Sequence, residues 1–557
     1  MPIKSKVNTT IIYFFLVLSS FFTATSIYGQ VVWENYQSEV YNYLARMAQK
    51  GLITFDDVSR PVNRNYITKC LETLQDESIK LSMVEKKELD FYLREYGSAS
   101  VLSTTDSATV GLFKKDGAGR WRALSVKNKG FVINADPILQ GGSIYASGKH
   151  YIHQSVGMQL WGQIGKHIGF QFYGNDVTES RDGSGQDSFA YRGPEPGFVL
   201  LTDTSSHKSL NYSVIRASIG YSWKNGSISI GQDNLLWGYG ENGRIVLSDK
   251  APAYPYIRLD YRPFPWFKFQ YVHAWLNSDI VDSSRTYGFG NTVYGGRSVQ
   301  YVPKFMASHS ITITPTKGLD ISAGESIIYS DQLNIGYFIP VMFFKLYDNL
   351  TSNNNVLAGS NGQFFFQASS RNMLKKTHLY STLFIDEIRI SQIFNSKKSR
   401  NQLGFTFGAS ITDVIIPYLT LNAEYTRVNP FVYNNLNPAQ KYTNHSFYMG
   451  DWMGNNFDRI ILAAKYTPVA KLKCMVRYQY IRKGGPGSID QQYFAEPQPP
   501  FLFDYRFSQT ELYLNFSYQW IPNLYFNASV SALQQNSKIT AQKTTTNTLN
   551  VGISYGL

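Results

Sequence analysis

In the run TELYLNFSYQW, Leu512, Leu514, Phe516, Tyr518 and Trp520 fall on one side of an extended chain, with Glu511, Asn515, Ser517 and Gln519 on the other. The next run sets Leu524, Phe526, Ala528 and Val530 against Tyr525, Asn527, Ser529 and Ser531, and VIRASIGYSW repeats the pattern. Alternation sustained over about ten residues predicts a membrane-spanning strand, apolar towards lipid and polar towards a lumen. Strands of soluble sandwiches are usually shorter. Runs of this kind begin near residues 131, 152, 167, 210, 227, 255, 266, 305, 319, 362, 377, 401, 418, 459, 471, 509, 523 and 546, about 18 strands in all.

Tight turns such as KNG at 224–226, PTKG at 315–318, PVAK at 468–471 and IPN at 521–523 alternate with long, aromatic-rich polar loops. The loops lie roughly at 176–209, 234–254, 278–303, 331–361, 428–458 and 484–508. Bacterial barrels show this alternation, with short turns in the periplasm and long loops outside. An even strand number then places both ends of the barrel on the periplasmic side. The expected fold is an all-β transmembrane barrel of antiparallel strands over 130–557.

Upstream the hydrophobic period changes to 3.6. YQSEVYNYLARMAQKGLI carries Val40, Tyr43, Leu44 and Met47 at helical spacing and stops at Gly51. A second helix begins after Pro61 with Asn63 or Asn65 as its cap, and a third has Ser82 three residues before Glu85, a capping box. These predict a small periplasmic α-helical bundle over 30–98, joined to the barrel by a linker over 99–129. Residues 1–29 have Lys4 and Lys6, the apolar run IIYFFLVLSSFF and a small-residue exit, the layout of a signal peptide.

Composition narrows the class. No later stretch reaches the roughly 18 apolar residues of a spanning helix, and mean hydropathy is −0.25. Aromatic residues make up 15%, with 40 tyrosines, and such side chains suit a membrane–water boundary. Two cysteines in 557 residues do not make a disulfide-stapled domain, so Cys70 and Cys474 are expected as free thiols. The formal charge of +13, or +11 without Lys4 and Lys6, suits an acidic polysaccharide or anionic lipid headgroups. No nucleic-acid partner is expected.

One segment fits neither pattern. DNLLWGYGENGRIVLSDKAPAYPY, residues 233–256, is too glycine-rich for a helix, too irregular for a strand and too apolar for a solvated loop. Irregular backbone is tolerated at membrane depth inside a barrel, so this run is expected to fold inward as a plug.

At these stretches the chain resembles the capsule assembly Wzi family of outer-membrane proteins. The resemblance rests on GQDNLLWGYGENGRIVLSDKAPAYPYIRL, FQYVHAWLNSD, KFMASHSITITPTKGLDISAGESIIYSD, YFIPVMFF, LYSTLFIDEIRI, NAEYTRVNPFVYNN and YMGDWMGNNFDRIILAAKYTP, with the helix start at Arg60–Ile67. Trp237-Gly-Tyr-Gly stands where the family often has Trp-Gly-Pro-Gly. The resemblance implies an 18-stranded barrel with a periplasmic helical bundle. It also implies a lectin, not an enzyme, that attaches capsular polysaccharide to the cell surface; similar proteins of the RemB type serve gliding motility.

Aromatic faces stack on sugar C–H surfaces, while carboxylates, amides and guanidinium groups bond hydroxyls or uronates. The candidates in the outer loops are Trp237, Tyr239, Asn242, Asp249, Tyr254, Asp386, Glu387, Arg389, Tyr433, Trp452 and Asn455. For each aromatic the competing role is plug or girdle packing, and for Asp386 and Glu387 a lumen ion pair. Only His150 and His153 lie close among eight histidines, no Gly-x-Ser-x-Gly occurs, and Asp386-Glu387 point to opposite faces of a strand. No enzyme, metal or cofactor is expected. The alternative to a polysaccharide anchor is a channel, or a scaffold that binds secretion or gliding proteins through its bundle.

Overall fold

The computed structural model describes residues 32–97, 109–116, 119–146, 148–181, 209–288, 290, 296–352, 359–395 and 397–556. The segment expected as a signal peptide, most of the loop expected at 176–209 and residues 98–108 lie outside these residues.

Eighteen antiparallel strands close into one barrel. They are β1 Phe131–Ala146, β2 Lys149–Ile164, β3 Ile168–Arg181, β4 Ser209–Trp223, β5 Gly226–Asp233 and β6 Tyr254–Phe264. Then come β7 Phe267–Val281, β8 Tyr301–Thr316, β9 Leu319–Ser330, β10 Asn361–Arg371, β11 Thr377–Glu387 and β12 Gln402–Thr412. The last are β13 Leu419–Val428, β14 Phe457–Val469, β15 Leu472–Lys483, β16 Phe507–Ile521, β17 Leu524–Ser537 and β18 Lys543–Tyr555. β18 closes on β1 from Thr548↔Ala146 to Tyr555↔Leu139, so every strand has two neighbours and the ladder is closed, with only the first eight residues of β1 extending beyond it.

The period-2 reading holds strand by strand. Outward-facing Ile230, Ile321, Phe366, Leu462, Phe516 and Ile553 are exposed, forming an apolar belt. Their inward neighbours are polar or packed against the lumen contents. Start positions agree closely; the largest offset is at β8, which begins at Tyr301, not near 305.

The linker over 99–129 needs correction. Within it Thr109–Lys115 and Trp121–Lys127 form a hairpin whose second arm pairs with β1 from Leu124↔Ala135 to Lys127↔Val132. β1 runs eight residues past its last pairing with β18, and the hairpin covers that edge at the short-turn end. Buried Arg122 ties it down, donating to Asp116 at 2.9 Å and to Asp136 of β1. Both arms are short and interrupted by lysine and arginine, which hid their alternation.

Three helices, α1 Val40–Gln49, α2 Arg64–Asp76 and α3 Met83–Tyr96, pack around Leu44, Met47, Ile67, Leu71, Leu74 and Leu89. Asn63 caps α2 by accepting from the Asn65 amide, and Ser82 with Glu85 forms the capping box of α3. The bundle sits in the short-turn mouth, held by ion pairs to lumen-facing residues. Arg371 reaches Asp57 at 2.6 Å, Lys268 and Arg262 reach Asp56, Arg46 reaches Asp413, and Lys473 reaches Glu39 at 3.1 Å.

Burial alone would raise the Asp56 carboxyl, but Lys268 and Arg262 pull it down to about 2. Burial likewise opposes ionisation of Asp57, and Arg371 and Arg60 hold it well below the usual carboxylate range. A carboxylate depressed in the folded state stabilises fully above its unfolded pKa, about 3.9 for Asp, and that contribution is lost as pH falls towards the folded value. Calorimetry of the detergent-solubilised protein should show the bundle transition falling in temperature between about pH 4 and pH 2. Asp56→Asn with Asp57→Asn should flatten that fall while lowering the transition at neutral pH.

Candidate functional site

The 20-residue connection between β5 and β6 turns into the lumen. Leu235, Trp237, Ile245, Val246, Leu247 and Ala251 are buried there against Tyr256, Val272, Ala274, Met306, Phe365 and Phe384 of the wall. This is a soluble-type hydrophobic core built inside a membrane barrel, which is why the segment is apolar yet irregular. Its backbone polar groups are satisfied by side chains and by backbone of neighbouring segments. The stacked rings of Tyr433 and Tyr442 donate their hydroxyls to consecutive carbonyls, Ile245 O at 2.6 Å and Val246 O at 2.9 Å. Trp452 Nε1 donates to Asn242 O at 3.0 Å, and Asn444 Nδ2 to Pro252 O at 3.0 Å. The connection between β13 and β14, which supplies these donors, therefore clamps the plug.

The plug also meets the bundle. Ser59–Arg60, between α1 and α2, pairs antiparallel with Leu236–Trp237, and the Gly238 amide donates to Val58 O at 2.7 Å. Two elements entering from opposite ends thus share one strip of sheet inside the lumen. Glycine is required where the plug crowds the β13–β14 connection and β14. At Gly243, with φ +143°, a Cβ would stand 2.6 Å from Asp451 Oδ2, whose carboxylate holds fully buried Arg459 at 2.7 Å.

The candidate residues divide accordingly. Trp237 packs on Phe365 and Tyr239 on His378 and Tyr380, with Arg371 over its ring. Trp237, Tyr239, Tyr254, Tyr433, Asn242 and Asn455 are all buried. Asn242 donates to Gln479, and Asn455 Nδ2 to Pro486 O. Asp386 accepts from the Tyr433 amide at 2.7 Å and joins this plug. Its neighbour Glu387 turns away to Arg400 at 3.3 Å and Gln402, and Arg389 to Glu496 at 3.4 Å. Asp249 pairs with Lys250 at 3.1 Å, and Trp452 keeps part of its ring accessible. In the plug, burial opposes ionisation of Glu241, but Lys465 at 2.8 Å holds its carboxyl below the usual range.

The plug fills one side of the lumen, against the wall from β6 to β15. On the other side the inward-facing residues of β17 and of β18 from Thr544 to Asn550 stay accessible. Across β17, β18 and the upper half of β1 none of these side chains is charged: Ser529, Ser531, Leu533 and Gln535 face Asn550, Thr548, Thr546 and Thr544, Asn527 faces Gly552, and Gln140 and buried Ile144 lie beside them on β1. Below this wall, between it and the bundle, lies a cavity of ≈ 880 Å³ lined by Trp161, Tyr173, Tyr92, Tyr525, Gln159 and Gln171 among others. Sequence reasoning missed this region because serine, threonine and asparagine on a strand read only as the lumen face.

Trp237→Ala should leave the barrel folded, because the closed strand ladder does not use it, yet loosen the plug. Removing one buried aromatic costs about 3–5 kcal/mol locally. Heat-modifiable gel mobility should be unchanged, while limited proteolysis within 234–253 speeds up and conductance in planar bilayers rises. Gly243→Ala should do the same by separating Asp451 from Arg459.

The family model described as capsule assembly protein Wzi matches residues 142–550. Among solved structures, Wzi of Escherichia coli, an outer membrane protein involved in group 1 capsule assembly and a carbohydrate-binding β-barrel, is similar at 13% identity. That match covers 95% of this chain and 100% of that one, with a TM-score of 0.56. OpdK of Pseudomonas aeruginosa, solved with vanillate, is matched at 10% identity over 76% of this chain and 98% of that one, with a TM-score of 0.43. No curated protein sequence matches. With its barrel, its inward plug and a family match across most of its length, this chain belongs to the capsule assembly protein Wzi family.

Proposed function

We propose that the protein is a non-catalytic carbohydrate-binding barrel of the outer membrane that retains capsular or extracellular polysaccharide at the cell surface. The observation that carries this reading is the accessible, uncharged and mainly amide and hydroxyl wall of β17, β18 and β1, which stands opposite the packed plug and opens below onto the cavity. Each such group both donates and accepts hydrogen bonds, as sugar hydroxyls require. Tyr513 and Tyr525 flank the wall and supply aromatic faces for sugar C–H surfaces. The family match, and the description of the Escherichia coli relative as carbohydrate-binding, support the same chemistry.

In this reading residues 1–29 direct export, the bundle stands in the periplasm and the long loops face outwards. Trp452, Glu387 and Arg389 contact the polymer as it leaves the wall, while Asp249, within electrostatic reach of Tyr36 of the bundle, faces the polymer from the lower side of the plug. The buried candidates Trp237, Tyr239, Asn242, Tyr254, Tyr433 and Asn455, with half-buried Asp386, act by holding the plug that shapes the site. The net positive charge favours an acidic polymer.

Deleting the gene should release polysaccharide into the medium without lowering its synthesis; unchanged cell-bound polymer would refute the proposal. At the wall, Ser529→Ala with Asn550→Ala removes two cross-strand neighbours. At about 0.5–1.5 kcal/mol per hydrogen bond, binding of purified polysaccharide should weaken about tenfold with folding intact. A channel along the same wall would instead give stable conductance that added polysaccharide does not block.

A further inference from the structure

The connection between β9 and β10 was expected among the loops of the outer mouth, and the structure places it elsewhere. On β7, Lys268 and Gln270 face the bundle and Val272 and Ala274 face the plug, so Tyr271, His273 and Trp275 point out of the barrel. By register, His309 of β8, Glu325 and Ile327 of β9 and Phe364 of β10 share that outer face. The connection packs on these residues. Tyr271 donates to Tyr337 O at 2.7 Å, His309 Nδ1 lies 2.9 Å from Pro340 O, and Phe338 stacks on His273 at 4.0 Å. A helix, α4 Phe344–Thr351, begins directly over Glu325, whose carboxylate accepts from the Phe344 and Lys345 amides at 2.8 and 2.5 Å.

The polarity of this segment is inverted. Between residues 333 and 350 every exposed residue is apolar: Leu333, Ile335, Ile339, Val341, Phe343, Leu346 and Leu350. Ile335 and Val341 are 78% and 79% exposed. Its polar groups point inward, where Asp348 takes Lys345 at 3.0 Å and the Tyr337 hydroxyl at 3.1 Å. Helices bordering water carry the opposite arrangement. The depth agrees. Glu325 lies five residues from the loop end of the 12-residue β9, about 17 Å along the strand. A spanning strand needs about 9–11 residues, so Glu325 lies at membrane depth. A carboxylate facing hydrocarbon there would be costly unless covered and hydrogen-bonded, as it is.

We propose that residues 333–350 form a lateral flap embedded in the membrane, whose apolar outer face contacts the acyl chains of the lipid. It continues the apolar belt above Ile321 and Phe366 and widens the barrel's lipid contact on the side of β7–β10. The occupant of the surface is hydrocarbon, because the flap borders residues that a membrane barrel turns to lipid and all its exposed positions are apolar.

The test is fluorescence quenching in proteoliposomes. On a Cys474→Ser background, with buried Cys70 retained, Val341→Cys is labelled with bimane, beside Phe366→Cys in the bare belt and Ile539→Cys in the β17–β18 connection. Heat-modifiable mobility checks that each variant folds. The label at 341 should be quenched by phospholipid carrying mid-chain doxyl to within a factor of two of the label at 366, and hardly by iodide. Iodide quenching equal to that at 539 would overturn the proposal by placing the segment in water. Shielding from both quenchers, with cross-linking to a second copy, would overturn it in favour of self-association.

Discussion

Backbone that lies at membrane depth must find its hydrogen-bond partners within the protein, and this constraint organises the whole molecule. The strands meet it by closing on one another, β18 against β1. The irregular segments meet it by borrowing side chains and the backbone of neighbouring segments. Tyr433 and Tyr442 serve the carbonyls of the plug, Val58 serves Gly238, and the amides at the start of α4 serve Glu325 on the outer wall. Each departure from regular sheet is thus tied to the wall at a few identifiable groups.

The same constraint explains why the lumen is divided. The plug and the bundle share a strip of backbone pairing, so they form one body pressed against β6–β15. Buried ion pairs such as Arg459–Asp451 and Arg371–Asp57 set its position, because each charge taken from water needs its partner close by. Among the described residues, the inward faces of β17, β18 and the upper half of β1 carry no charged side chain. Their small neutral side chains leave room for water or a hydroxylated ligand, and the cavity beside the bundle extends that room.

The strands were legible because the period of two recurs in every one of them and lipid on one face enforces it. The helix caps at Asn63 and Ser82 were legible because they are local. The hairpin 109–127 was not, since its arms are short and charged and form only because β1 offers an uncovered edge. The inward course of residues 233–256 could be read from their composition, but their purpose could not. The aromatic candidates Trp237, Tyr239, Tyr254 and Tyr433 looked alike as sugar platforms or as packing, and burial distinguishes the two.

By itself the sequence determined the membrane barrel, its strand number and the presence of a helical bundle and a plug, because these follow from periodicity, turn spacing and local capping. Only the tertiary structure decided which face of the wall a loop would cover. YFIPVMFF reads as one more apolar loop, and nothing within it says that it folds out over Glu325 while the equally apolar 233–256 folds in to meet Ser59. That choice depends on residues far away in the chain, on which side of a strand an acid or a glycine happens to fall. The identity of the accessible wall was settled in the same way, by what the plug leaves uncovered.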